Sequence, residues 1–90
     1  KIATPESCVY DGPVESLVAP GVDGSFGILA HHAPMIAAVG DGVLKVRVSG
    51  ADVLFCIGKG VLEVTGNHVL VLTGKAVRSV DRKDNAGHAP

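Results

Sequence analysis

The sequence predicts an all-β fold, a two-sheet β-sandwich of about eight to ten short strands. Three observations carry that expectation. Turn signals recur at short intervals: Gly12-Pro13, Pro20-Gly21, Asp23-Gly24, Gly40-Asp41-Gly42, Ser49-Gly50, Gly58-Lys59-Gly60, Gly66-Asn67 and Gly74. Several segments between them alternate with the period of two that a half-buried strand requires. No window of eleven or more residues carries a helical stripe.

The elements follow in chain order. DGSFG, at residues 23–27, reads as an ordinary hairpin. PMIAAV, residues 34–39, is the best helical candidate, but it opens on proline and Gly40-Asp41-Gly42 stops it after about one turn. In GVLKVRVS, Leu44, Val46 and Val48 share a face while Lys45 and Arg47 point the other way. In ADVLFCIG, Val53, Phe55 and Ile57 oppose Asp52, Leu54 and Cys56. Ser49-Gly50 joins these two strands through a tight turn whose positive φ suits glycine. GVLEVTG sets Leu62 and Val64 against Val61, Glu63 and Thr65, and Gly66-Asn67 turns it into HVLVLT. That last segment is apolar on both faces, the pattern of a strand covered on both sides. The sandwich is expected over residues 1–80. Residues 81–90, DRKDNAGHAP, have no apolar face and read as a flexible C-terminal tail.

Composition narrows the function. The chain has 90 residues, 47% hydrophobic side chains, twelve glycines and 19% charged residues. Glycine included, about 60% is apolar, against about 45–50% in an ordinary soluble domain. A domain this small has too little interior to hide that excess, so part of it should lie on the surface, where apolar patches serve partners. Net charge is −1 with both signs scattered, which excludes a basic nucleic-acid footprint. Tyr10, Phe26 and Phe55 are too few aromatics for a stacking platform. No stretch approaches the ~20 apolar residues of a membrane span, and KIATPES does not read as a signal peptide. The chain therefore reads as soluble and intracellular. Cys8 and Cys56 have no CxxC partner and read as two buried free thiols, with a single disulfide as the alternative.

Catalytic chemistry finds little support. His31 and His32 are adjacent, a poor geometry for chelating one metal, and no Cys or acidic residue stands beside them at ligand spacing. DGSFG lacks the GK[ST] ending of a phosphate loop, and no GxSxG or HExxH occurs. The residues alone leave three readings open: a β-sandwich with an apolar partner surface, a free-standing ligand- or peptide-binding module, and a small metal-dependent enzyme using His31 and His32. No cofactor and no metal is expected.

A set of separated motifs resembles one family in order and spacing. Thr4-Pro5-Glu6-Ser7 precedes Tyr10 and Gly12; Gly24, Phe26-Gly27-Ile28-Leu29 and His32-Ala33-Pro34 follow. Then come GDGVLKV from Gly40 and GKGVLEVTGNHVLVL from Gly58. Together they resemble the ε subunit of F-type ATP synthases, called δ in mitochondria, over residues 2 to about 80. The resemblance implies an N-terminal two-sheet β-sandwich. It implies a non-catalytic central-stalk, or rotor, role in the F1 sector, with the γ subunit and the c-subunit ring as partners and coupling of proton flow to ATP synthesis as the purpose. It implies a peripheral membrane location on the cytoplasmic face of a bacterial inner membrane, or the equivalent organelle face.

The resemblance also implies site residues. Gly24, Ser25, Phe26 and Gly27 match the family's hairpin that approaches the c ring, with Ser25 at a position often acidic in the family. His31, His32 and Pro34 belong to the turn near the rotor interfaces, where Pro34 stiffens the chain and His32 offers a polar edge. Met35 and Ala37 lie in the apolar run beside that surface, Ala37 being expected nearest γ. The family's usual C-terminal helical hairpin has no counterpart in the sequence, so neither ATP binding nor inhibition of hydrolysis by insertion is expected of this chain.

Overall fold

The structure is a computed structural model and describes residues 1–31 and 33–79. Ten strands follow one another: β1 (Ile2–Ala3), β2 (Cys8–Tyr10), β3 (Ser16–Gly21), β4 (Gly24–Leu29), β5 (Met35–Val39), β6 (Gly42–Val48), β7 (Ala51–Ile57), β8 (Gly60–Thr65), β9 (His68–Thr73) and β10 (Ala76–Arg78). The hydrogen-bonded order is β10-β7-β6-β3-β5-β8-β9-β1-β2, with β4 paired to β3 alone. The two layers are thus β10-β7-β6-β3-β4 and β5-β8-β9-β1-β2. They are linked where Gly21 at the end of β3 pairs with Val39 at the end of β5. The expected tail from 81 lies outside the described residues.

The alternations that predicted β6, β7 and β8 place their apolar residues inside. Leu44, Val46, Phe55, Ile57, Leu62 and Val64 are all buried, and Val39, Val71, Leu17 and Ile28 meet them from the other strands. Both tight turns have the expected backbone: Ser49 and Gly50 have φ of 52° and 78°, Gly66 and Asn67 of 52° and 66°. Two positive values in succession match the right-handed twist of the flanking strands, so these hairpins close in register.

One segment without a firm assignment is settled and two expectations are corrected. Residues 35–39 form strand β5, because pairing with β8 from Met35↔Val64 to Val39↔Gly60 satisfies a backbone that one helical turn would leave mostly unpaired. Strand β9 is covered on one face only: Val71 and Thr73 are buried, but Leu72 is 49% exposed. The two cysteines are free, as read, yet both are exposed. Cys56 alternates with the buried Phe55 and Ile57 and so falls on the outer face of β7.

One feature of the core carried no signal in the sequence. Thr73 is 4% exposed, the one polar side chain buried among the described residues. Its hydroxyl lies 2.8 Å from the Gly58 carbonyl and 3.0 Å from the Lys75 carbonyl, and accepts from the Lys75 N–H at 3.3 Å. It ties the β7–β8 and β9–β10 connections together at one end of the sandwich. Thr73→Val keeps the shape and orphans those groups, so a loss of about 1–3 kcal/mol is expected in urea unfolding. Thr73→Ser should recover most of it; equal losses for the two variants would show that the hydroxyl is not the cause.

Candidate functional site

The first group of predicted residues sits on the β3–β4 hairpin. Val22 and Asp23 form its tip, and Gly21 pairs with Gly24 across it. Gly24 has φ of 127°, a backbone that side chains rarely adopt, which explains glycine there. Ser25 faces Pro20 and Gly27 faces Val18, all pointing away from the core. Phe26 faces the fully buried Ala19 and packs its ring against the core from the rim. Gly24, Ser25 and Gly27 are exposed. The hairpin therefore offers Val22 and Asp23 at its tip and small side chains behind them to a partner, while Phe26 anchors it.

The second group lies at the opposite end of β4. His31 has φ of 62°, and its N–H donates to Asn67 Oδ1 at 3.0 Å, which clips the β4–β5 connection onto the β8–β9 turn. Pro34 is exposed. His32 lies outside the described residues. Met35 is half-buried against the core, and Ala37 faces the buried Leu62. Gly27 and His31 are only four residues apart, at most about 14 Å of extended chain. Ala37 runs back along β5 toward Val39, which pairs with Gly21 beside Gly24, so the candidates spread along neighbouring strands rather than meeting in one pocket. Among the described residues no three His, Cys, Asp or Glu side chains are grouped as metal ligands would be.

The outer face of β5, β8 and β9 carried no motif in the sequence. In β5 the exposed side chains are Ile36 and Ala38, which alternate with Met35, Ala37 and Val39. The register carries them across the sheet: Ile36 stands beside Glu63 and Leu70, and Ala38 beside Val61 and Leu72. Ala3 of β1 extends the second row next to Leu72. Ile36 is 73% exposed, Leu72 49% and Val61 44%. The signal was present in β8, whose outward position Val61 is apolar where a solvated face would be polar.

The outer face of the other layer is also partly apolar but carries more charge. Val43, Cys56 and Val77 form one row across β6, β7 and β10. The next rows hold Lys45 beside Leu54 and Val18, and Arg47 beside Asp52 and Ser16. Arg47 and Asp52 pair at 3.2 Å on the surface, a contact worth at most about 1 kcal/mol.

An open hollow of about 720 Å³ lies between the layers near the Gly66-Asn67 turn. Leu17, Leu44, Val46 and Val71 line it, with Tyr10, Asp11 and His68 also bordering it. No helix among the described residues is long and apolar enough to cross a membrane.

Comparison with known proteins supplies the remaining evidence. A family model described as the ATP synthase delta/epsilon chain β-sandwich domain matches residues 1–79. An ATP synthase epsilon chain of Carboxydothermus hydrogenoformans is 42% identical over 78 residues, covering 87% of this chain and 58% of that one. One from Synechococcus is 37% identical over 78 residues, covering 87% of this chain and 57% of the relative. The chain thus spans less than two thirds of the length of these relatives. A chain in the structure of the Euglena gracilis mitochondrial ATP synthase, OSCP/F1/c-ring, superposes with a TM-score of 0.72 at 25% identity, covering 84% of this chain and 50% of that chain. A chain of the Tetrahymena thermophila central stalk and c ring shares the fold, with a TM-score of 0.68 at 21% identity, covering 98% of this chain and 69% of the other.

Proposed function

The chain belongs to the ATP synthase delta/epsilon chain family through its β-sandwich domain, and from that premise we propose that it is a non-catalytic part of the central stalk. In this role it joins the γ subunit to the c-subunit ring and supports the coupling of ion flow to ATP synthesis. The observation that carries the reading is the outer face of β5-β8-β9, where Ile36, Val61 and Leu72 are exposed over buried alternates. A domain this small cannot leave so much apolar surface in water without a partner to cover it. A rotor element needs a broad, well-packed contact rather than a pocket, because torque is carried by many atoms at once.

Within this reading Gly24, Ser25, Phe26 and Gly27 approach the c ring. Gly24, Ser25 and Gly27 are small, which permits close backbone approach, and the exposed Val22 at the tip adds an apolar contact. His31, His32 and Pro34, with Met35 and Ala37 next in the chain, lie near γ. The domain is peripheral to the membrane, held there on the cytoplasmic face of a bacterial inner membrane, or its organelle equivalent, by its partners. It performs no chemistry on ATP.

The test is reconstitution of this chain with the γ subunit of the same organism, read by size exclusion with light scattering. A one-to-one complex at micromolar concentrations is expected, and titration with ATP should give no micromolar binding. Absence of a complex at tens of micromolar would sink the stalk role. The hollow between the layers would then point toward a free-standing ligand-binding module.

A further inference from the structure

We infer that the outer face of β5-β8-β9 is the surface covered by the stalk partner, and that the partner presents a lysine or arginine there to Glu63. The inference rests on the stalk reading and adds the face and the chemistry of the contact.

Three observations favour this face. First, its exposed positions are contiguous in the ladder: Ile36, Glu63 and Leu70 make one row, and Ala38, Val61 and Leu72 the next. Second, Glu63 is the only formal charge that β5, β8 and β9 turn outward, and it is half-buried among those apolar neighbours. The opposite layer turns Lys45, Arg47 and Asp52 outward and pairs two of them with each other, so it is already satisfied in water. Third, β5 leads directly from the turn containing His31 and Pro34, so a partner lying on the face also reaches that turn.

The carboxylate decides the kind of occupant. Lys1, exposed across Leu70 in the same row, forms no ion pair with Glu63. Covering Glu63 with apolar surface alone would therefore strip its water and leave its charge unpaired, and the partner must bring a cation to that point. A second copy of this chain fits badly, because a two-fold contact centred on β8 would bring two Glu63 carboxylates together.

The experiment measures affinity for the γ subunit by titration calorimetry, with far-UV dichroism and thermal unfolding confirming that each variant is folded. Leu72→Asp and Ile36→Asp should each weaken binding at least tenfold. Glu63→Lys should do so too, and Glu63→Gln by less. Val77→Asp, on the opposite layer, should change affinity less than twofold. Weakening by Val77→Asp but not by Leu72→Asp or Ile36→Asp would overturn the choice of face and leave the stalk reading intact. Equal affinities for wild type and Glu63→Lys would overturn the cation. A concentration-dependent dimer abolished by Leu72→Asp would assign the face to a second copy instead. Failure of the wild type to bind γ would defeat the stalk reading itself, and this inference with it.

Discussion

Replacing Phe55 by alanine is expected to cost about 3–5 kcal/mol, the range for deleting a buried phenylalanine ring. A domain of roughly 80 residues has roughly 4–12 kcal/mol in all, so the variant should sit near the edge of stability. The ring is 1% exposed and the largest side chain in the core. It stands beside Leu44 of β6 and beside Arg78 of β10 in the ladder. Its centroid lies 6.1 Å from the Tyr10 ring at 59°, a tilted aromatic contact that joins β7 of one layer to β2 of the other. Tyr10 is itself held by its hydroxyl donating to the Pro13 carbonyl at 2.8 Å. Removal of Phe55 therefore empties the junction of the two layers rather than one pocket among many. Urea unfolding followed by far-UV dichroism measures the loss, and a cost under about 1.5 kcal/mol would mean the site collapses around the gap. The partner should offset part of it, since any ligand of the folded state stabilises by RT ln(1 + [L]/Kd). In the stalk reading, Phe55→Ala with excess γ should melt well above Phe55→Ala alone.

The central strands were legible because they contrast. Lys45 and Arg47 between Leu44, Val46 and Val48 state which face is wet, and the structure agrees in β6, β7 and β8. Strand β5 has no such contrast. Met35, Ile36, Ala37, Ala38 and Val39 are all apolar, and a period cannot be read where every residue has the same sign. Only the ladder with β8 divides them, sending Ile36 and Ala38 outward. The same blindness explains β9, where Leu70 and Leu72 on one face look as apolar as Val69 and Val71 on the other. An apolar residue at an interface and one in a core are the same letter.

The candidate site was legible in part for a related reason. The motif residues Gly24 to Gly27 and His31 to Pro34 are few positions apart in sequence, which suggests a single locus. Gly24 to Gly27 instead run along β4, with His31 and Pro34 beyond its end, so they line a strand and its exit rather than one pocket. The cysteines show the limit of reasoning from residue type. Cys is usually buried, but position 56 is set by its alternation with Phe55, and the pattern outweighs the preference.

Gly60→Ala is expected to be the other severe change, for a reason no propensity scale contains. Gly60 opens β8 and pairs with Thr73 on one side and Val39 on the other, at the centre of the β5-β8-β9 layer. Its φ is ordinary, so the constraint is space. A Cβ there would drive into the Leu72 carbonyl oxygen and stand 2.8 Å from the Thr73 Cα, closer than real side chains approach backbone. Backbone cannot rotate away as a side chain can, so β9 must move off β8. Overpacking of this sort costs about 1–3 kcal/mol, occasionally more. The displacement also pulls the Thr73 hydroxyl from the Gly58 and Lys75 groups, adding about 1–3 kcal/mol for buried partners left unmade. About 3 kcal/mol or more is expected, which lowers the melting midpoint by about 12 °C or more in a domain of this size. Gly74→Ala is the internal comparison. Nothing lies within 4 Å of its would-be Cβ, so it should change stability little or raise it by about 0.4–1 kcal/mol. Similar losses at both positions would refute the steric account. Hydrogen exchange adds a local readout: Gly60→Ala should expose the amides where β8 and β9 meet, beside Val61 and Leu72. Those two residues belong to the proposed γ-binding face, so a fully folded Gly60→Ala protein should still lose affinity for γ. Retained affinity in that folded variant would mean the face tolerates a shifted β9.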